Sequence, residues 1–458
     1  MSVRGRSMVN HPECFNRCLI PFLILLFLCV AVCQAGEPSV SGSRSPFDSE
    51  QSKGSLVIIG GSAQHDHDEL WEEILEAAGG KGAKIAVIPA ASQYPEQYGG
   101  RAVRMLNAAG ADAFLVPLAP SGLSVDCQTA SHDPEIVKRV RQAGGVYFIG
   151  GIQARICQAL VTKEGKPSPL LGAIWDMYRR GGMVAGTSAG AAIMSRLMFR
   201  DGGLPLALMC SGVKLGKEVD QGLGFLDHDW FVDQHCLVRG RFARTLVAMS
   251  SQHVTYGIGV DENSALVVEE GGAAHILGQR GAVVMDLSKA RSDPSVAGFN
   301  LQNAMLSYLN RGDALNLETL AITPSPEKLA DRKIDPTAAD FQPLAGRKLF
   351  FNDILANSVL PDVMRRTIEH RDGQAIGLAF DGEAAAQGPT TGFEFRFYRE
   401  RDSRAWETAA FGGTDFTIQN IHLDIRPIEI HGPLYSNPSS TNPSPRVPSS
   451  PIAGGAGK

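Results

Sequence analysis

The chain has 458 residues, a formal net charge of −5 and a hydrophobic content of 44%. This length allows one large domain or two medium domains with a sizeable core. The composition is that of an ordinary globular protein and has no basic excess, so nucleic acid is not an expected partner.

The N-terminal segment, residues 1–35, has the features of a signal peptide. Basic residues precede an apolar run over residues 19–32, and small residues follow at Ala35 and Gly36. We therefore expect a secreted or periplasmic protein. The apolar run is short for a membrane span, so no stable span is expected after cleavage. An uncleaved membrane anchor is the alternative interpretation. Residues 36–53 are rich in Ser, Gly and Pro and are predicted to be a flexible linker.

Residues 54–321 alternate apolar strands with segments of helical periodicity. The first four predicted strands cover residues 56–59, 85–88, 113–116 and 146–149. Short apolar runs that end in glycine or proline are typical of buried strands, and apolar residues at helical spacing separate them. This alternation predicts an α/β domain with a doubly wound, mostly parallel sheet and helices on both faces.

The C-terminal part of the chain is less regular. We predict a β-rich segment that turns helical over Leu301–Leu309, then a linker over residues 322–342 that contains several prolines and charges. Residues 343–432 combine a predicted helix at 354–370 with alternating strands, and we interpret them as a small C-terminal α+β extension of unknown role. The tail, residues 433–458, is rich in Ser, Pro, Asn and Gly and is predicted to be disordered.

Residues 186–190 (Gly-Thr-Ser-Ala-Gly) join an apolar strand to a predicted helix that reaches Met198. The pattern G-x-S-x-G places Ser188 at the apex of a sharp turn, where small neighbours avoid clashes. The backbone N–H of Ala189 would then point towards a developing oxyanion. Taken alone, the motif is equally compatible with a small-residue turn that packs a helix on a sheet.

Three further segments place polar or small residues near predicted strand ends. Residues 150–153 (Gly-Gly-Ile-Gln) follow one strand, and residues 233–235 (Asp-Gln-His) close another before Arg239, Arg241 and Arg244. The third is an acidic turn at residues 261–262 (Asp-Glu). Each has an ordinary structural explanation: a βα turn, a solvated basic helix end, a structural histidine or a solvated turn.

In this order and approximate spacing, the segments together resemble the cyanophycinase family of serine peptidases, peptidase family S51. That family is related to aspartyl dipeptidase and has a fold like the class I glutamine amidotransferases. The resemblance covers residues 56–268, roughly half of the chain. Besides the segments above, it rests on the glycine pair Gly60-Gly61 and on residues 257–260 (Gly-Ile-Gly-Val).

The resemblance implies a catalytic triad. Ser188 corresponds to the nucleophile, His235 to its base and Glu262 to the acid that orients the imidazole. Such an arrangement is chemically reasonable, because a serine hydroxyl needs an adjacent base and that base needs a carboxylate to fix its tautomer. Asp261 and Glu218 are rival candidates for the acid, since only the geometry around His235 can decide.

The resemblance also implies an oxyanion hole and a substrate site. The backbone N–H groups of Gly151 and Ala189 would bind the oxyanion. Six side chains match the family's substrate-binding positions: Gln153, Asp233, Gln234, Arg239, Arg241 and Arg244. Arginines suit aspartyl carboxylates through bidentate pairing, and an acid such as Asp233 could receive a guanidinium group.

The implied function is hydrolysis of cyanophycin, a poly-aspartate with arginine on each side chain, to β-aspartyl-arginine dipeptides by an exported serine-type exopeptidase. No metal or organic cofactor is implied, and a homodimer is consistent with the resemblance. Ile152 departs from the family, which usually has Asp or Asn there. This departure favours an alternative, an aspartyl or isoaspartyl dipeptidase of the same fold. An alternative of another class is a non-catalytic binding protein with an inherited site.

Overall fold

The computed structural model describes residues 54–64, 67–123, 126–226 and 230–432. The predicted signal peptide, the linker at 36–53 and the C-terminal tail lie outside the described residues. In the described part of the chain, no helix is both long enough and apolar enough to span a bilayer.

The described residues form 20 strands and 12 α-helices. In chain order, the strands are β1 (Ser55–Ile59), β2 (Lys84–Ile88), β3 (Asp112–Leu115), β4 (Gly145–Phe148), β5 (Met183–Thr187), β6 (Leu197–Phe199), β7 (Val219–Gln221), β8 (Trp230–Gln234), β9 (Tyr256–Val260), β10 (Ala265–Val268), β11 (Ala273–Leu277), β12 (Ala282–Asp286), β13 (Leu301–Leu309), β14 (Ala314–Asn316), β15 (Ile322–Thr323), β16 (Arg332–Ile334), β17 (Leu349–Phe351), β18 (Gln374–Ala379), β19 (Thr390–Thr408) and β20 (Asp415–Ile430). The helices are α1 (Asp68–Ala77), α2 (Pro95–Ala108), α3 (Cys127–His132), α4 (Pro134–Arg141), α5 (Gln153–Leu160), α6 (Pro169–Arg179), α7 (Ala189–Ala192), α8 (Pro205–Ser211), α9 (Phe242–Gln252), α10 (Pro326–Ala330), α11 (Val359–Glu369) and α12 (Gly382–Gln387).

Local sequence signals explain where two of these helices begin. The carboxylate of Asp133 accepts the N–H groups of Glu135 and Ile136 at the start of α4. Ser168 does the same for Leu171 at the start of α6. In both helices a proline occupies the first turn, where its missing N–H is not needed.

The first large sheet confirms the predicted fold class. Its spatial order is β15-β14-β11-β10-β1-β5-β4-β2-β3. The five strands from β1 to β3 in this order pair in parallel, and β10 runs antiparallel beside β1. The sheet is therefore mostly parallel at the end that carries the predicted nucleophile.

Alternate residues of β1 enter different cores, which places helices on both faces of this sheet. Leu56 and Ile58 pack in a cluster with apolar residues of α5 and α6. Val57 and Ile59 pack in a second cluster with residues of α1 and α2. This is the period of two expected for a strand that is buried on both faces.

The second large sheet has the order β17-β18-β19-β20-β13-β12-β9-β8, with β16 paired to β19. The chain passes from β9 in this sheet to β10 in the first sheet through residues 261–264. The acidic turn found in the sequence is therefore the connection between the two sheets.

The prediction of a helix over Leu301–Leu309 is wrong, because these residues form strand β13. This strand pairs with β12 on one side and with β20 on the other. Most of its side chains are buried. A fully buried apolar run has no alternation that would distinguish a strand from a helix.

Two segments predicted in the C-terminal part, the extension and the linker, are organised differently in the structure. The extension at 343–432 is not a separate layer, because β20 pairs with β13 inside the second sheet. The predicted linker at 322–342 contains β15, α10 and β16. It is held by a buried ion pair, in which Lys328 Nζ lies 2.7 Å from Asp313 Oδ1.

Candidate active site

Ser188 occupies a strained turn between β5 and α7. Its backbone angles are φ 54° and ψ −112°, in a region that costs a non-glycine residue about 1–3 kcal/mol. A Cβ at Gly186 would lie 2.2 Å from the carbonyl oxygen of Gly190, and a Cβ at Gly190 would lie 2.4 Å from that of Phe148. The glycines of the motif are thus required by close backbone packing.

The helix after Ser188 is shorter than predicted. It ends at Ala192, and Met198 lies in strand β6. The carbonyl of Ser188 accepts the N–H groups of Ala191 and Ala192 at 2.9 and 3.0 Å, which closes the first turn. The turn therefore fixes the position of Ser188 without a long helix behind it.

His235 follows strand β8 of the second sheet and reaches Ser188 in the first. Its Nε2 lies 2.8 Å from Ser188 Oγ. The backbone N–H of His235 donates to the carbonyl of Gly60, 2.9 Å away, at the end of β1. This bond ties the two sheets together at the point where serine and imidazole meet.

Glu262 is the acid that faces the imidazole. Its Oε1 lies 2.6 Å from His235 Nδ1. The rival Asp261 instead accepts the N–H groups of Leu237 and Val238 through Oδ1, at 3.1 and 3.0 Å. Glu218 accepts the N–H of Lys214 and pairs with Lys217, so neither rival contacts His235.

The surroundings keep the imidazole neutral. Burial, reinforced by the positive charge of Arg239, lowers the pKa of His235 to about 4 although Glu262 acts in the opposite direction. Burial acts to raise the pKa of Glu262, but the hydrogen bond to His235 outweighs it and the net pKa is below the ordinary value. At neutral pH the pair is therefore a neutral imidazole beside a carboxylate, the state that can take a proton from serine.

The two predicted oxyanion donors, the backbone N–H groups of Gly151 and Ala189, belong to segments that lie beside Ser188. Among the described residues, neither the N–H of Gly151 nor that of Ala189 has a backbone acceptor. A Cβ at Gly150 would lie 3.7 Å from Ser188 Oγ, so this loop lies directly beside the nucleophile. Gly151 has φ +147°, and a Cβ there would lie 2.2 Å from the carbonyl oxygen of Ala91.

Asp233 and Arg244 bind each other. This pairing differs from the sequence-based expectation that both side chains bind the substrate. Arg244 Nη2 and Nε lie 2.6 and 2.7 Å from the two carboxylate oxygens of Asp233. Both side chains are buried, at 1% and 0% exposure. Burial acts to raise the pKa of Asp233, but the charge of Arg244 outweighs it, and the net pKa lies below the usual value. The pair leaves no free charge for an aspartyl carboxylate or a guanidinium group.

Three more of the expected substrate residues are also bound within the protein. Gln153 is buried and donates from Nε2 to the carbonyls of Phe199 and Asp201, at 2.7 and 3.2 Å. The Oε1 of Gln234 accepts from Arg241 Nη1 at 2.6 Å. These contacts shape the loop beside the triad and leave the side-chain nitrogen of Gln153 occupied.

Arg239 is the most accessible of the six. Its side chain is 51% exposed, and Nη2 lies 3.7 Å from Glu262 Oε1. It precedes α9 and does not share a helical face with Arg241 and Arg244. Of the three arginines, Arg239 is therefore the one placed at the surface beside the triad.

An open cleft of about 740 Å³ adjoins the nucleophile turn. Gly150, Gly151 and Thr187, which are neighbours of Ser188, are among the residues that line it. Tyr94 and Tyr98, which belong to none of the sequence motifs above, also line it. Their spacing of four residues at the start of α2 was a usable signal, because it puts both side chains on one helical face.

A strained serine turn on a doubly wound sheet, with its hydroxyl hydrogen-bonded to an imidazole that is itself bonded to a carboxylate, is typical of an α/β serine hydrolase. The family model for peptidase family S51 matches residues 56–276. Over these residues the chain is similar to peptidase family S51, and it is a serine-type peptidase.

Curated relatives agree with this assignment. The chain is 27% identical over 288 residues to a cyanophycinase of Nostoc sp. (strain PCC 7120 / SAG 25.82 / UTEX 2576), covering 61% of this chain and 91% of the relative. It is 29% identical over 280 residues to a cyanophycinase of Geminocystis herdmanii (strain PCC 6308), covering 58% and 95%. The crystal structure of a peptidase from an acI-B1 Actinobacterium aligns with a TM-score of 0.43 and 19% identity, over 58% of this chain and 98% of that one.

Proposed function

We propose that this peptidase hydrolyses cyanophycin to β-aspartyl-arginine dipeptides through an acyl-enzyme at Ser188. The observation that carries the proposal is the hydrogen-bonded chain from Ser188 through His235 to Glu262, at 2.8 and 2.6 Å. The substrate is taken from the relatives that are named cyanophycinase.

In the acylation step, Ser188 Oγ attacks the carbonyl carbon of a backbone peptide bond of the aspartate chain. The hydroxyl proton moves to His235 Nε2, and Glu262 stabilises the imidazolium that forms. The N–H groups of Gly151 and Ala189 hold the oxyanion. His235 then gives its proton to the leaving amine, the C–N bond breaks, and an ester remains on Ser188.

In the deacylation step the same proton transfers occur, with a water molecule as the nucleophile. His235 takes a proton from a water molecule whose oxygen attacks the ester carbonyl. The proton then passes to Ser188 Oγ as the carbon–oxygen bond of the ester breaks. A carboxylic acid leaves, and the triad returns to its starting state.

A second candidate is a peptidase of aspartyl or isoaspartyl dipeptides. The mutual pairing of Asp233 and Arg244 favours it, because that pair offers no charge to the two ends of a β-aspartyl-arginine unit. The exposed apolar side chain of Ile152 near the oxyanion loop favours it as well.

The test is incubation of purified protein with insoluble cyanophycin, with Ser188→Ala in parallel and products identified by mass spectrometry. Release of β-aspartyl-arginine by the wild type alone is expected. A serine-reactive phosphonate probe separates the alternatives. Labelling of Ser188 without release of β-aspartyl-arginine would exclude cyanophycin as the substrate and indicate a peptidase that acts on other substrates. If the protein shows neither labelling nor release, a binding protein with an inherited site is favoured.

We also propose that the protein is exported, on the basis of the basic and apolar N-terminal segment. Fractionation of the source cells, followed by N-terminal sequencing of the recovered protein, tests this. We expect a mature N-terminus near residue 36 in the extracytoplasmic fraction. Intact protein found solely in the cytoplasm would contradict the proposal.

A further inference from the structure

The cleft beside Ser188 has an unusual concentration of exposed apolar side chains. Tyr94, Tyr98 and Ile152 are 62%, 48% and 39% exposed, and all three line it. The ring centroids of the two tyrosines lie 6.4 Å apart. A cluster of large exposed side chains in a concave surface is typical of a ligand site, since water is a poor partner for it.

The floor of the cleft is also apolar and aromatic. Trp71 and Tyr147 line it and are largely buried, with ring centroids 6.3 Å apart. The indole N–H of Trp71 donates to the carbonyl of Gln64, so its position is fixed. The cleft therefore has a preformed base against which a side chain of a bound molecule can pack.

The charge in the cleft has one sign. Arg101 lines the cleft and lies three residues beyond Tyr98 on α2, and no acidic residue is among the described residues that line it. In the described part of the chain, Arg101 has no ion-pair or hydrogen-bond partner. A free guanidinium group beside apolar surface suits a ligand with a carboxylate next to an apolar or aromatic group.

The cleft adjoins the reacting centre. Gly150 and Gly151 belong both to its lining and to the loop beside Ser188 Oγ. A residue bound in the cleft would therefore belong to the same peptide that is cleaved at Ser188. This position is the one where a β-aspartyl substrate could place the amino acid attached to its side chain.

We infer that this cleft is the subsite for the amino acid joined to the aspartyl β-carboxyl, with Arg101 pairing its free carboxylate and Tyr94, Tyr98 and Ile152 contacting its side chain. The inference rests on the proposed β-aspartyl activity. Because none of the described residues that line the cleft is acidic, the guanidinium group of arginine gains no ion pair with them. The enzyme should therefore accept apolar and aromatic amino acids at this position at least as well as arginine.

The test uses three short aspartyl peptides that differ only in the amino acid on the β-carboxyl: arginine, leucine or phenylalanine. We expect kcat/KM for the leucine and phenylalanine peptides to equal or exceed that for the arginine peptide. A preference for arginine of roughly tenfold or more, the size expected for a charge-assisted hydrogen bond, would overturn the inference.

Substitution of a residue that lines the cleft gives a second test of the inference. Arg101→Gln should raise KM for the leucine peptide by roughly tenfold and leave kcat nearly unchanged, because a contact made equally in ground and transition states is lost. The effect should vanish with a peptide whose carboxylate is replaced by a carboxamide. Arg104→Gln, on the same helix but outside the cleft lining, is the matched control. Equal KM changes in the two variants would contradict the assignment.

Binding measurements separate this inference from the proposed reaction. Calorimetry with Ser188→Ala protein should show the same order of affinity among the three peptides. Binding in that order without hydrolysis by the wild type would reject the reaction and keep the subsite. If Arg101→Gln and Tyr98→Ala proteins hydrolyse the peptides as the wild type does, the subsite assignment is wrong and the proposed reaction still stands.

Discussion

The imidazole of His235 lies directly against the backbone of Gly61. A Cβ at Gly61 would lie 2.2 Å from His235 Cε1 and 2.6 Å from Nε2, the atom that faces Ser188. Gly61 also has φ +126°, a conformation that L side chains rarely adopt. The carbonyl of Gly61 accepts the N–H of Asn263, next to Glu262, at 2.8 Å. One glycine after β1 thus sets the position of the base and of the turn that carries its acid.

This contact predicts that Gly61→Ala disables the enzyme by moving the imidazole. We expect kcat to fall on the order of 100-fold, because a displacement of about 1 Å is enough to misalign a base. The matched control is Gly79→Ala, which has φ +107° but no heavy atom within 4 Å of the added Cβ. Both variants should lose some stability in thermal unfolding because both residues have positive φ, and only Gly61→Ala should lose activity. Parallel losses of activity would refute the steric explanation.

Substitution of the acid distinguishes Glu262 from its rivals. Glu262→Gln should lower kcat on the order of 10⁴-fold with the fold intact, as removal of the negative charge from a triad does in other serine peptidases. Glu218→Gln should behave like the wild type, because Glu218 binds Lys214 and Lys217. Asp261→Asn keeps an acceptor oxygen for the loop after His235 and should have a small effect. Steady-state kinetics on the three variants decides. If kcat falls further in Asp261→Asn than in Glu262→Gln, the assignment of Glu262 as the triad acid is wrong.

The pH dependence should show an unusually acidic base. The reaction needs neutral His235, so kcat/KM should fall as pH decreases through the pKa of about 4. Arg239 helps to lower this pKa, so Arg239→Gln should move the acid limb to higher pH. Because Arg239 is half exposed, the shift should be modest and should shrink at high salt. A limb near the ordinary histidine value in the wild type, or a shift to lower pH in the variant, would contradict the expected electrostatics.

The nucleophile turn could be predicted from the sequence because its geometry constrains residue type. Gly186 and Gly190 leave no room for a side chain, so the packing requirement is visible as a pattern of small residues. His235 and Glu262 carry no such local mark. They lie in a different sheet from Ser188 or in the connection between the sheets, and only the resemblance to a family put them in one site.

The roles of the charged residues could not be predicted from residue type alone. Asp233 and Arg244 are equally suited to bind a substrate or to bind each other, and the choice depends on how α9 packs behind β8. The strand β13 was missed for a similar reason, because its partner β20 lies more than a hundred residues later in the chain. Long-range pairing leaves no periodic signal in the strand itself.

The pair formed by Asp233 and Arg244 should support stability more than substrate binding. Arg244→Met leaves a buried carboxylate without its partner and should reduce the free energy of unfolding by about 3–5 kcal/mol. Adding Asp233→Asn should recover part of this loss, since the remaining group is neutral and Thr245 and Gln234 still contact it. Arg239→Gln, which alters an exposed arginine, is the control and should leave unfolding unchanged. Urea denaturation of the variants, with KM measured alongside, tests this. An Arg244→Met protein of normal stability with a raised KM would mean that Arg244 binds the substrate directly.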